Sequence, residues 1–134
     1  MRVSHVLDTC ALLDLLAGKW TNSVAVQELE KASHPVVLTL SAWEISRKLR
    51  IGKLSLPCDS EHLFSFLDKV MKHYQLGWVP LQANVACEAE RLPMHHKDPV
   101  DRMILALSLG EKVPIFTSDR QFEEYGVTIV NQRG

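Results

Sequence analysis

The sequence predicts an α/β fold, a three-layer α/β/α sandwich around a mainly parallel central sheet. Three observations lead there. Short apolar runs alternate with segments of helical periodicity along the whole chain, and the runs at residues 36–40 and 113–117 are apolar at consecutive positions but for Thr39 and Thr117, as strands covered on both faces are. A helix between successive strands calls for right-handed crossovers, which make neighbouring strands parallel. Finally, 134 residues at 46% hydrophobic and 23% charged hold enough apolar material for one core, so one domain spanning residues 1–134 is expected.

Taken in order, residues 2–7, with Val3, Val6 and Leu7, read as a buried strand running into Asp8, and residues 11–16 as a helix up to Gly18. In residues 22–32, Val24, Val26, Leu29 and Ala32 recur at helical spacing with Glu28, Glu30 and Lys31 outside. After Pro35 comes the strand 36–40, and Ser41 with Glu44 three residues on spells a capping box for a helix over 41–50. Beyond the Ile51-Gly52 turn, Ser60 is expected to cap a helix over 61–74 built on Leu63, Phe64, Leu67, Val70 and Met71. Residues 78–81 form a short strand whose proline suits an edge. An Ala-rich helix over 84–92 closes at Pro93, and Asp98 can cap a helix that opens with Pro99 and closes at Gly110. A strand over 113–117, a short helix over 120–125 broken by Gly126, and a last strand over 127–130 complete the chain.

Composition removes several function classes. Cys10, Cys58 and Cys87 are odd in number, widely spaced and without C-x-x-C, which argues against a disulfide framework and a structural zinc site. The net charge of −1 supplies no global attraction to phosphate, so any nucleic-acid binding must come from local clusters or a metal. No apolar stretch is long enough to cross a bilayer, and residues 1–20 lack a signal-peptide pattern; a cytoplasmic protein without a membrane partner is expected. Nucleotide-binding glycine loops and the Gly-x-Ser-x-Gly elbow are missing.

What remains is a set of acids. Asp8, Glu44 and Asp119 each follow a strand, and Asp101 lies three residues after Asp98 at a helix start; in a parallel sheet all converge on the C-terminal edge. Each also has a local explanation as a cap or a first-turn acid. Four such explanations at one edge invite a shared cause: clustered carboxylates repel unless protonated or neutralised by a cation. Oxygen ligands without a His or Cys set favour Mg²⁺ or Mn²⁺, and such a site suits phosphodiester hydrolysis by metal-activated water. Arg47, Lys48, Arg50 and Lys53 form the one basic cluster, read either as a solvated helix end or as a phosphate-contacting rim.

The blocks Val6-Leu7-Asp8-Thr9, Ser41-Ala42-Trp43-Glu44-Ile45-Ser46-Arg47-Lys48 with Gly52-Lys53-Leu54, His96-Lys97-Asp98-Pro99-Val100-Asp101-Arg102-Met103-Ile104 and Thr117-Ser118-Asp119 resemble, in order, the signature of the PIN-domain ribonucleases, and most of all the VapC toxins of toxin–antitoxin pairs. The resemblance covers residues 3–130. It implies a Mg²⁺- or Mn²⁺-dependent endoribonuclease cutting tRNA or rRNA, a homodimer silenced by a cognate VapB-type antitoxin. Carried over, Asp8, Glu44, Asp101 and Asp119 would be the catalytic, metal-binding acids, and Asp98 an additional metal contributor. Thr9, Arg47, Lys48, Arg102, Thr117 and Ser118 would meet substrate. The chain departs from the family pattern at Val100, where Phe is usual, at Ser118, where Arg is common, and at Cys10 and Asp14, where His and Trp are frequent. Trp20 and Trp43 are candidate antitoxin contacts, or else core. The alternatives are a catalytically silent PIN-like module that binds protein or RNA, and a hydrolase of small phosphoesters.

Overall fold

A computed structural model describes residues 2–134. Five strands, β1 (His5–Leu7), β2 (Pro35–Leu38), β3 (Gly77–Val79), β4 (Ile115–Phe116) and β5 (Ile129–Val130), form one sheet in the order β3-β2-β1-β4-β5, and every pairing is parallel. The helices are α1 (Thr9–Leu16), α2 (Ser23–Lys31), α3 (Thr39–Arg50), α4 (Leu63–His73), α5 (Ala83–Arg91) and α6 (Pro99–Glu111), with a short 3₁₀ helix over Arg120–Tyr125.

Successive strand residues supply opposite cores, which is why the strands read as unbroken apolar runs. Leu7, Val37 and Phe116 pack on one face with Leu12, Leu29, Ile45, Leu67 and Met71 from α1 to α4. Val6, Val36 and Ile115 pack on the other with Val100, Ile104 and Leu105 of α6 and with Phe122. The result is the three-layer α/β/α sandwich, with β1 at its centre and β3 at an edge.

The strands are shorter than the apolar runs that predict them, and three expected helix caps or stops move. The extended residue before α3 is Leu38, so the helix begins at Thr39 and Ser41 lies inside it; Ser41 caps nothing and shares a 2.8 Å hydrogen bond with Thr9 across the sheet edge. Ser60 does not cap α4 either, since the helix starts at Leu63 and Asp59 accepts the His62 N–H. Gly110 lies within α6, which turns off at Lys112 in the left-handed conformation (φ +58°), where the Lys112 and Val113 N–H groups reach back to Leu109 and Ser108.

Candidate metal centre

Asp8 joins β1 directly to α1. Its carboxylate is both the helix N-cap and a member of the pocket: Oδ1 accepts the Ala11 N–H at 2.7 Å and Oδ2 accepts the Thr117 hydroxyl at 2.5 Å. It is only 3% exposed. Burial pushes its pKa up to about 6 against the pull of these two hydrogen bonds, and the charges of Asp119 and Asp14 add to the rise. Capping and pocket membership are thus not rival explanations at this position.

At the start of α6, Asp98 Oδ1 accepts the Asp101 N–H at 3.0 Å and Pro99 occupies the first turn. Asp101 therefore stands at the rim beside Asp98. Its pKa rises to about 7, first through burial, then through the negative charges of Asp98, Asp8 and Glu44, with His96 opposing. Glu44 comes from the second turn of α3 and has Lys48 Nζ at 3.8 Å. Asp119, beyond β4, caps the 3₁₀ helix through Oδ1, and its own N–H donates to the Thr117 hydroxyl oxygen. The structure thus brings Asp8, Glu44, Asp98, Asp101 and Asp119 to one edge of the sheet, close enough for their charges to act on one another.

His96 belongs to this group, although the sequence, where it opens a signature block, assigns it no role at the site. Its Nε2 lies 2.9 Å from Asp119 Oδ2 and 3.2 Å from Asp101 Oδ2, and one ligand atom of each of the three residues falls within 4.8 Å of the others. The Asp98 N–H donates to Nδ1 at 3.3 Å, which leaves the ring proton on Nε2 to be donated to the carboxylates. The available signal was its place two residues before the cap of α6, on the same rim.

The residues expected at substrate divide. Arg47 is exposed, Lys48 is half-buried beside Glu44, and Ser118 is half-buried between Thr117 and Asp119. Thr9 and Thr117 are buried and engaged with Ser41 and Asp8, so they position neighbours rather than meet solvent. Arg102 corrects the expectation outright. Only 5% exposed, its guanidinium donates to the carbonyls of Ala89, Glu90, Leu92, Pro93 and His96. It closes the C-terminal end of α5, where carbonyls have no helical partner and the dipole favours a cation, and both of its terminal nitrogens are committed to backbone carbonyls.

The PIN domain family model matches residues 5–127. No curated protein matches the sequence. Among solved structures, the chain is similar to one in the crystal structure of DNA-bound VapBC from Salmonella typhimurium, with a TM-score of 0.73 and 15% identity, covering 97% of this chain and 98% of that one. A chain of VapBC2 from Rickettsia felis, bound to a fragment of its promoter DNA, gives 0.71 and 14%, covering 96% and 98%. PAE2754 from Pyrobaculum aerophilum gives 0.61 and 22%, covering 97% and 91%.

Proposed function

The chain belongs to the PIN-domain family, and on that premise we propose that its 134 residues act as one PIN domain, a metal-dependent endoribonuclease and the toxin of a VapBC-type pair. The observation that carries the reading is the meeting of acids at one sheet edge: half-buried Asp101 stands beside Asp98, the cap of its own helix, and near Asp8 beyond β1 and Glu44 of α3, and burial first, then those charges, push its pKa up. Such a set fits a hard divalent cation, since the carboxylate donors are oxygens and, among the described residues, the Lys48 ammonium is the one fixed positive charge in contact with them, the His96 ring N–H being a further donor. Asp8, Glu44, Asp98, Asp101 and Asp119 would hold Mg²⁺ or Mn²⁺. When bound, that ion supplies the activation of water and the stabilisation of the leaving oxygen.

The protein's own part is orientation. Thr117 and the Ala11 N–H fix Asp8, the Asp98 cap fixes the first turn that carries Asp101, and the His96 ring Nε2–H with the Gln121 backbone N–H fixes Asp119. Arg47 and Lys48 supply cations beside the pocket for RNA phosphates. A VapB-type antitoxin would dock in the cavity of about 500 Å³ lined by Leu15, Trp20, Val26 and Leu29, with tRNA or rRNA as the cytoplasmic target and a homodimer as the working form. Incubation of purified protein with structured RNA and Mn²⁺ tests the proposal: cleavage should occur and should vanish in Asp8→Asn and Asp101→Asn, and cleavage at equal rates by all three proteins would refute it.

A further inference from the structure

The outer face of α3 carries a feature the acid pocket does not use. Trp43 is 56% exposed, and it shares with Ser46, Arg47, Arg50 and Ile51 a shallow hollow of about 400 Å³. Trp43, Arg47 and Arg50 stand at i, i+4 and i+7, one stripe that rises about 10 Å along the helix. The only acid on α3, Glu44, is turned to the flank with Lys48, at the metal centre. An exposed indole is costly to leave in water, and here it is followed along the helix by two guanidinium groups with no acid on the stripe.

We infer that this face is a landing strip for single-stranded nucleic acid, with Trp43 stacking one base while Arg47 and Arg50, one and two turns further along the helix, contact successive phosphates to one side of it. Charge complementarity favours that occupant: a net charge of −1 gives phosphate no general attraction, whereas two arginines beside a flat ring give phosphate and base partners together. Continuity with the site points the same way, because Glu44 follows Trp43 directly in the sequence and its side chain lies about a quarter turn round the same helix. A strand lying along the stripe would enter the acid pocket over the Lys48 ammonium. The inference rests on the nuclease reading for its substrate, and it adds the residues that thread the strand.

Binding of fluorescent 12-nucleotide oligo(U) and oligo(dT), measured by anisotropy in EDTA so that nothing is cut, tests it. Trp43→Ala should weaken oligo(U) binding about tenfold. The double variant Arg47→Ala/Arg50→Ala should lower the slope of log affinity against log salt by about 1.4, two phosphates at about 0.7 each. Lys69→Ala, on the exposed side of α4, should change neither. Equal loss on oligo(dT) would extend the strip to single-stranded DNA. Unchanged affinity and slope in both variants would overturn the inference. So would a change of Trp43→Ala from dimer to monomer in sedimentation equilibrium with affinity per protomer intact, since the face would then be a protein interface. Wild-type cleavage of RNA with these variants unaffected sinks the strip alone; oligo(U) binding that depends on Trp43 without any cleavage sinks the nuclease reading alone.

Discussion

Raising the pH of the metal-free protein from 5 to 8 should destabilise it. Asp8 and Asp101 hold their protons in the folded state up to about 6 and about 7, against an ordinary value of 3.8. Folding therefore takes up protons between about pH 4 and pH 7, and the stability these groups allow at low pH is lost as the pH rises through that window. At about 1.4 kcal/mol per pKa unit, the loss between pH 5 and pH 8 comes to about 1 kcal/mol from Asp8 and about 3 kcal/mol from Asp101. For a chain of this length, about 4 kcal/mol corresponds to a fall in Tm of roughly 10–15 °C. Calorimetry or circular dichroism in EDTA across that range measures it. The isosteric Asp8→Asn keeps an oxygen for the Ala11 N–H, removes one titrating group and takes a negative charge away from Asp101, so its profile should be distinctly flatter. Saturating Mn²⁺ at pH 8 should recover most of the loss by binding the ionised pocket. A wild-type Tm that is level or rises from pH 5 to 8, or an Asp8→Asn profile parallel to wild type, would refute the reasoning.

Arg102→Met should destabilise the fold by about 3 kcal/mol, because five buried or half-buried carbonyls lose their donor, and Arg102→Lys should recover only a small part of it; urea unfolding reads both. His96→Ala should tighten Mn²⁺ binding by roughly 1 kcal/mol, about fivefold in titration calorimetry, because freeing Asp101 and Asp119 from the ring N–H outweighs the lost orientation of Asp119; weaker binding would refute this and give the ring an orienting or ligating role instead. Asp14 is buried, and although burial alone would raise its pKa, the hydrogen bonds from Arg133 and Gln132 outweigh that and hold it below the ordinary range. Arg133→Ala should cost about 2 kcal/mol at pH 7 in urea unfolding, a loss that shrinks below pH 4 as the carboxyl is protonated in both proteins.

The layered architecture and the acids at the strand ends were legible because both depend on local pattern: consecutive apolar residues at 36–38, and an acid one residue past Leu7. What escaped depends on contacts across the chain. Ser41 spells a cap, yet its hydroxyl meets Thr9 from α1, and the helix starts two residues earlier. For Arg102 the family resemblance implies a substrate contact, but its partners are the carbonyls ending α5, which no spacing rule reveals. His96 reaches Asp119 over 23 residues of separation, a meeting fixed only when α6 and β4 pack together. The expected single helix stop at Gly110 failed because Lys112 could adopt the left-handed turn while Gly110 continued the helix.

None of the five acids hangs on a free connection: Asp8, Asp98 and Asp119 are helix caps, Asp101 lies in a first turn and Glu44 in the second turn of a helix. Their aim is therefore inherited from the scaffold, and the exposed segment at residues 59–61, which contributes no carboxylate to that edge, is open to engineering. A dye, an affinity peptide or a surface tether inserted there should leave the pocket's aim untouched, giving a handle for watching single molecules of this protein at work.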